Sequence, residues 1–160
     1  MEKLEERRLR KFVKELEGIR GRHTELVSVY IPAGYDIIKI IQHLQQEQGT
    51  AENIKDKRNR QRVIDSLERM IRHLRLFKQT PKNGLAAFSG NISDKENVED
   101  IQIFSIEPPE PLQTRLYRCD QTFMLDILKS QMDAKNVYTK ILQTIFPHKG
   151  TDQTGEQPKV

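Results

Sequence analysis

The sequence predicts an α+β fold: a small mixed or antiparallel four-stranded sheet covered by helices, with a projecting helical hairpin. Three observations support this prediction. Apolar residues recur every three to four positions in several segments, which is typical of amphipathic helices. Short segments rich in β-branched residues lie between turn residues, which is typical of strands. These segments follow the order helix, strand, two helices, three strands and helix, and the 160 residues suffice for one packed core.

The N-terminal part of the chain predicts a helix, a strand and a second helix. The first helix is expected to end near Gly21, and its apolar positions are Leu9, Phe12, Val13, Leu16 and Ile19. Residues 26–31 predict a strand that stops at Pro32 and Gly34, both turn signals. The second helix loses its pattern by Gln48, and its expected core face consists of Ile37, Ile38, Ile41 and Leu44.

A third helix is predicted from Lys57 to Phe77, with Asp56 as its N-cap. Its expected core face consists of Val63, Ile64, Leu67, Met70, Ile71 and Leu74. Residues 49–55 would then form the tip of a hairpin made by the second and third helices. Such a tip can project from the body of a domain.

The second half of the chain predicts three strands and a helix. The strands are expected at 85–89, 101–106 and 112–118, and a short helix at 124–132. Further along, Val137, Ile141, Leu142, Ile145 and Phe146 have helical spacing. The polar residues from Pro147 onward have the composition of a disordered tail.

Positive charge is concentrated in one stretch of the chain. The formal net charge is +4 overall, whereas residues 55–78 contain nine Lys and Arg against three acidic residues, a local charge of +6. A basic helix face is the electrostatic footprint of a polyanion site, and RNA is the expected polyanion. From charge alone, a merely solvated helix face has equal weight. The candidates for RNA contact are Lys57, Arg58, Arg60 and Arg62.

Several classes of protein are disfavoured by composition. The single cysteine, Cys119, rules out an internal disulfide, and the four histidines lie far apart without forming a short-spaced pair with it. We therefore expect no zinc site and no cofactor. No apolar run is long enough to span a membrane, and the N-terminus lacks the apolar core of a signal peptide. We expect a soluble cytoplasmic protein without a membrane partner.

Two motifs resemble the class one peptide chain release factors of archaea and eukaryotes. Residues 49–56, Gly-Thr-Ala-Glu-Asn-Ile-Lys-Asp, resemble the Gly-Thr-Ala-x-Asn-Ile-Lys-Ser loop of that family. Its second signature, Tyr-x-Cys-x-x-x-Phe, is matched by Tyr117, Cys119 and Phe123. Segments 81–85 and 24–32 are also similar, the latter to the archaeal branch, and the resemblance extends over roughly residues 8–138. Two motifs in the right order make the resemblance specific.

The resemblance implies that residues 1–133 form the release-factor N domain, which reads an mRNA stop codon in the ribosomal A site beside ribosomal RNA. The hairpin tip would lie near the first base, through Asn53, Ile54, Lys55 and Asp56. Asn53 offers a hydrogen-bond donor and an acceptor, and Lys55 offers donors that suit a uracil carbonyl or a phosphate. Residues 134–160 would be a divergent helix and a disordered tail.

Other side chains are implied in reading the purines. Glu47 corresponds to an acidic residue used toward them, since a carboxylate only accepts and therefore favours exocyclic amines. Tyr117 offers a ring on which a base can stack, while Cys119 and Phe123 would shape this pocket. The third recognition segment of the family would involve Thr24 and Glu25.

Two departures limit what the resemblance implies. Asp56 stands where the family normally has Ser, which preserves the cap but adds an anion near the codon phosphates. Gly-Gly-Gln, the family's element for peptidyl-tRNA hydrolysis, does not occur, so we expect no enzyme activity. A partner GTPase would bind only through domains absent here. The chain could be a fragment, a shortened gene product or a chain with a foreign tail.

Two alternatives to codon reading stay open. One is a ribosome- or RNA-binding regulator that occupies the A site without termination activity. The other is a protein interaction domain whose basic face is solvated. A hydrolase is disfavoured because no set of nucleophile, base and orienting residue was found. Which stop codons are read, and the oligomeric state, do not follow from the sequence.

Overall fold

The structure is a computed structural model that describes residues 3–132. The chain divides into two compact units, Met1–Leu125 and Asp126–Val160. The first unit contains α1 (Leu4–Glu17), β1 (Leu26–Ile31), α2 (Ile37–Ala51), α3 (Lys57–Leu74), β2 (Leu85–Asn91), β3 (Ile101–Ile106) and β4 (Leu116–Asp120).

The described part of the second unit, residues 126–132, is helical, so the helix expected from residue 124 begins two residues later. The helical spacing expected over 137–146, the tail from Pro147 and the separate segment 134–160 lie outside the described residues.

The four strands form one antiparallel sheet in the order β3-β2-β1-β4. This confirms the predicted α+β class and decides between the mixed and antiparallel alternatives. All six residues of β1 are buried, because it pairs with β2 and β4 and is covered on both faces. A strand buried on both faces favours a continuous apolar run over an alternating pattern. This is why the sequence predicted β1 with its correct bounds.

Helices cover both faces of the sheet. On one face, α2 and α3 pack over Val27, Val29 and Ile31 in the main core. On the other face, Phe12 of α1 packs against Phe88 of β2, with their ring centroids 5.9 Å apart. The hairpin of α2 and α3 therefore lies on one side of the sheet and α1 on the opposite side.

The ends of α1 and α3 were predicted incorrectly. The first helix ends at Glu17 instead of near Gly21, with Gly18 as its C-cap. Glycine is a poor helix residue, and the N–H of Gly21 donates to the carbonyl of Gln121 at 2.7 Å, so this stretch is held beside the end of β4. At its other end, α3 stops at Leu74, three residues before the predicted end.

The core face of α2 was predicted correctly at Ile37, Ile41 and Leu44 but incorrectly at Ile38. Ile38 is 58% exposed, whereas Ile40, which was not chosen, is buried together with Ile37 and Leu44. Successive residues of a helix are rotated by about 100°, so positions 37, 40 and 44 fall on one face and position 38 falls outside it. The helix also continues to Ala51, into the segment expected to be the tip.

The fourth strand was placed too early. It begins at Leu116, not at Leu112, whose backbone instead bonds to two turns: its N–H donates to Asn83 and its carbonyl accepts from Ala33, both at 2.9 Å. The turn predicted before β2 is present, with Gly84 at a φ of +87°. β2 itself extends beyond the predicted 85–89 to Asn91, and β3 has the predicted bounds.

Candidate nucleic-acid interface

The hairpin tip, the loop before β1 and Cys119 lie at one end of the sheet. Leu26, at the start of β1, pairs with Asp120 at the end of β4, and Val27 pairs with Cys119. The start of α3 lies at the same end, because Arg62 contacts Glu25 just before β1. Since a short tip joins α2 to α3, the last turn of α2 lies there as well. The tip, the Thr24 loop and Cys119 are therefore neighbours, and Tyr117, which pairs with Val29, lies further along β4.

The hairpin tip, residues 52–56, is closed by its own backbone. The N–H groups of Asn53 and Ile54 donate to the carbonyls of Thr50 and Ala51 at 3.0 and 3.1 Å. Ala51 is buried and Ile54 is half-buried against the core, whereas Asn53 and Lys55 are exposed. The apolar residues thus anchor the tip, and the two polar side chains face solvent.

Asp56 is the N-cap of α3, as predicted. Its Oδ1 accepts from the backbone N–H of Asn59 at 2.8 Å. This hydrogen bond, with smaller contributions from His23 and Arg58, lowers the pKa of Asp56 below its usual value. Asp56 is therefore an anion at neutral pH, and its charge is directed at the positive end of the helix dipole.

The four basic residues singled out on α3 differ in accessibility. Lys57 is exposed, and Arg58 is exposed beside Glu96, with Nη1 and Oε2 3.7 Å apart. Arg60 is partly buried, and its Nη1 donates to the carbonyl of Ile54 at 3.1 Å, which braces the tip. The candidates for contact with RNA thus include Lys57, Arg58 and Arg60. Counting the Lys and Arg residues in the sequence nevertheless overstates the positive charge that is exposed.

Arg62 and Glu25 form a buried ion pair. Their side chains are 4% and 1% exposed, and Nη1 of Arg62 lies 3.4 Å from Oε2 of Glu25. Nη2 of Arg62 also donates to the carbonyl of Glu96 at 3.1 Å. This corrects the expectation that Arg62 contacts RNA and Glu25 the codon, because neither charged group is accessible. A formal charge count cannot distinguish a cation on the surface from one paired in the interior.

The same carboxylate shapes the loop before β1. Glu25 accepts from the backbone N–H of His23 at 2.8 Å, so Thr24 is flanked by a fixed backbone while its own side chain is exposed. Of the two residues expected in the third recognition segment, Thr24 is thus accessible and Glu25 supports it.

A row of side chains links α2 to β4. His43 and Glu47 are one helical turn apart, with Nε2 and Oε2 separated by 3.2 Å. The ring of His43 packs nearly perpendicular to that of Tyr117, at 5.6 Å between centroids. The hydroxyl of Tyr117 in turn lies 3.0 Å from Sγ of Cys119. We call these four residues the α2–β4 row.

Burial raises the pKa of two members of the row. It raises the pKa of Tyr117 well above its usual value, with smaller contributions from Cys119 and Glu47. It also raises the pKa of the Cys119 thiol, an effect that Glu47 adds to and the hydrogen bond with Tyr117 opposes. At neutral pH the row therefore has a phenol and a thiol, both of which can donate a hydrogen bond.

Sequence reasoning missed His43, the residue that joins Glu47 to Tyr117. The one local signal was its spacing of four residues from Glu47, which places both on the same face of a helix. Nothing in the sequence indicated that Tyr117, 74 positions away, would pack against that face.

Phe123 lies on the opposite face of the sheet from Tyr117. Its ring packs against Phe88 and Phe104, with centroids 5.6 and 6.4 Å away. Phe88 belongs to the core beneath α1, whereas Tyr117 and Cys119 pack beneath α2. This corrects the expectation that Phe123 shapes the same pocket as Cys119. Phe123 instead packs on the opposite face of the sheet, just after the end of β4.

Comparison with known proteins identifies the family. Residues 4–133 match the model of the family described as eRF1 domain 1. The chain belongs to the eRF1 domain 1 family. This confirms the resemblance to archaeal and eukaryotic class one release factors.

Relatives within this family include archaeal release factors. Over 130 residues the chain is 57% identical to peptide chain release factor subunit 1 of Thermococcus kodakarensis and 54% identical to that of Pyrococcus abyssi. Each comparison covers 81% of this chain but 31% of the relative. The chain thus spans about a third of the length of these relatives.

Solved structures give the same fold. The crystal structure of archaeal translation termination factor aRF1 matches with a TM-score of 0.72 and 35% identity, covering 79% of this chain and 34% of that one. A second structure, described as an archaeal protein, matches with a TM-score of 0.76 and 34% identity, covering 82% and 36%.

Two features are absent from residues 3–132. No helix there combines the length and apolar character that crossing a bilayer requires. Within the same residues, no three His, Cys, Asp or Glu side chains are placed to hold a metal ion together.

Proposed function

We propose that this domain reads an mRNA stop codon in the ribosomal A site during translation termination. The observation that carries the proposal is the position of the two motifs: α2 ends at the tip, and on the same helix His43 contacts Glu47 and packs against Tyr117 of β4. The tip and the α2–β4 row would contact successive bases of one codon.

The dimensions of α2 fit a codon. A helix rises about 1.5 Å per residue, so Glu47 and His43 lie about 6 and 12 Å from Ala51 along the helix axis. Three stacked nucleotides, at about 3.4 Å each, extend over about 10 Å. A codon laid along α2 from the tip would therefore reach from Asn53 and Lys55 to the α2–β4 row.

At the tip, Asn53 and Lys55 would select the first base. An unpaired base exposes its Watson–Crick edge, which side chains can read directly. The amide of Asn53 matches both the N–H and a carbonyl of uracil, and the ammonium of Lys55 donates to a carbonyl or a phosphate. Ile54 is partly buried against the core and would set the position of its two neighbours beside the base.

At the α2–β4 row, Glu47 and Tyr117 would recognise the purines. The carboxylate of Glu47 accepts from exocyclic amines, and the phenol of Tyr117 can donate a hydrogen bond. Thr24 would approach from the neighbouring loop with its exposed hydroxyl. Cys119 would orient the Tyr117 hydroxyl through their 3.0 Å contact.

The remaining proposals concern the basic residues and the rest of a release factor. Lys57, Arg58 and Arg60 would contact phosphates of mRNA or ribosomal RNA around the tip, which makes binding salt-dependent. We propose 1–133 as the codon-reading domain, with no catalytic role of its own. Peptide release and binding of a partner GTPase would belong to other parts of a release factor.

Binding to programmed ribosomes tests the proposal. Affinity for ribosomes with UAA in the A site should exceed affinity for ribosomes with the tryptophan codon UGG. Lys55→Ala should weaken binding to UAA by about 10-fold or more, since it removes a charge-assisted hydrogen bond. Lys82→Ala is the matched control, because Lys82 is an exposed lysine in the turn before β2, at the opposite end of the sheet.

Tyr117→Phe tests the second motif in the same assay. It removes one hydroxyl and should reduce the preference for UAA over UGG. Tyr35→Phe is its control, because the Tyr35 hydroxyl accepts from Arg115 at 3.0 Å at the far end of the sheet. Equal binding to UAA and UGG would instead favour a ribosome-binding regulator. No binding to ribosomes would favour a protein interaction domain.

A further inference from the structure

His43 lies between the two side chains proposed to recognise the purines. Glu47 and Tyr117 are on different elements, and His43 contacts both: its Nε2 lies 3.2 Å from Oε2 of Glu47, and its ring lies 5.6 Å from that of Tyr117. We propose that His43 is a positioning residue that fixes Glu47 relative to Tyr117 and thereby sets codon discrimination. This inference rests on the proposed function.

The contact with Glu47 fixes the carboxylate. A carboxylate only accepts hydrogen bonds, so Nε2 of His43 carries the proton that is shared between them. The two residues are four apart on α2, the spacing at which helical side chains meet. One oxygen of Glu47 is thereby directed at His43, and the other is left to accept from a base.

The contact with Tyr117 fixes the aromatic ring. The rings of His43 and Tyr117 are inclined at 72°, an edge-to-face arrangement that favours one orientation of the pair. The hydroxyl of Tyr117 is held separately by Cys119. Tyr117 is therefore constrained at two points, by His43 on its ring and by Cys119 on its hydroxyl.

The benefit of these contacts is geometric. His43 and Glu47 are 30% and 33% exposed, and pairs this accessible contribute little to stability. Recognition, in contrast, requires functional groups held within about 0.5 Å of the productive position. Removing His43 should therefore leave the fold nearly as stable but loosen the placement of Glu47.

A second histidine provides a matched control. His73, on α3, also packs edge-to-face on an aromatic ring, that of Phe77 at 5.5 Å, and its Nε2 lies 2.8 Å from the Ser105 hydroxyl. It is partly buried like His43, but it lies over β3, which is the edge strand at the opposite edge of the sheet from β4. A substitution there removes the same kinds of contact without touching the α2–β4 row.

The experiment measures the ratio of affinities for UAA- and UGG-programmed ribosomes with the full chain. His43→Ala should lower this ratio by about 3- to 10-fold, the effect of one misplaced hydrogen bond. His43→Gln, which keeps an N–H donor, should retain more of the ratio, and His73→Gln should match the wild type. Thermal melts of all variants verify that each is folded.

The possible results separate the inference from the proposed function. If His43→Ala keeps the wild-type ratio while Glu47→Ala lowers it, positioning by His43 is refuted and codon reading stands. An equal loss of affinity for UAA and UGG, or an equal effect of His73→Gln, would also overturn the inference. If neither Glu47→Ala nor Tyr117→Phe changes the ratio, the proposed reading of purines by the row fails.

Discussion

The buried pair of Arg62 and Glu25 yields the sharpest stability prediction. Arg62→Met replaces the cation with an apolar side chain and leaves the Glu25 carboxylate, which is 1% exposed, without its counter-ion. Breaking a buried ion pair in this way costs about 3–5 kcal/mol. Because Glu25 keeps the 2.8 Å bond from the His23 N–H, we expect the lower end, about 3 kcal/mol.

Substitution of Glu25 instead of Arg62 should cost less stability. In Glu25→Gln, Arg62 still donates to the Glu96 carbonyl at 3.1 Å and has the carboxylate of Glu99 3.8 Å from Nε. The expected loss is about 1–2 kcal/mol, comparable with one charged hydrogen bond. The double variant Arg62→Met/Glu25→Leu should recover most of the stability, since replacing both charges with apolar groups is often neutral.

Urea unfolding, monitored by circular dichroism, measures these differences in the free energy of unfolding. An unchanged slope of that free energy against urea concentration shows that the mutation altered stability alone. Arg58→Met is the control, because Arg58 pairs with Glu96 at the surface and should cost less than about 1 kcal/mol. A loss in Arg62→Met no greater than in Arg58→Met would refute the assignment of Arg62 as a buried structural cation. A greater loss in Glu25→Gln than in Arg62→Met would refute the expectation that Glu96 and Glu99 compensate Arg62 when Glu25 is lost.

Three further predictions concern the turn, the thiol and pH. Gly84→Ala should destabilise the fold by about 1–3 kcal/mol in urea unfolding, since φ is +87° and a Cβ would lie 2.3 Å from the Ile31 carbonyl oxygen; wild-type stability would contradict this. Cys119 should react with iodoacetamide far more slowly in the folded chain than in urea, because burial raises its pKa; equal rates would contradict that burial. Burial also lowers the pKa of His73, so its neutral form stabilises the fold above pH about 6.5 and this contribution is lost as pH falls through the lowered pKa. The stability advantage of wild type over His73→Gln should therefore shrink on acidification, and a constant difference would contradict it.

Local pattern was sufficient for β1 and for the start of α3. The β-branched run of β1 and the cap at Asp56 are local features, and both were predicted with correct positions. The rotation of α2 was not predictable in the same way. Whether Ile38 or Ile40 faces the core depends on how the helix lies on the sheet, which is decided by tertiary packing.

The candidate site was predictable only in part, for the same reason. The motifs identified Lys55 and Tyr117, but the burial of Arg62 depends on a partner 37 residues away. Phe123 was grouped with Tyr117 because their motif is continuous in sequence. The strand ends at Asp120, so the alternation of faces no longer applies and the chain places Phe123 behind the sheet.

Photocrosslinking from the codon tests the central claim most directly. Ribosomes would carry a stop codon in the A site with 4-thiouridine as its first base, and mass spectrometry would locate the crosslinked peptide of the bound chain. Codon reading by the hairpin predicts a crosslink within residues 52–57, lost when the stop codon is moved out of the A site. A crosslink confined to α1, on the opposite side of the sheet, or none from a bound chain, would contradict it.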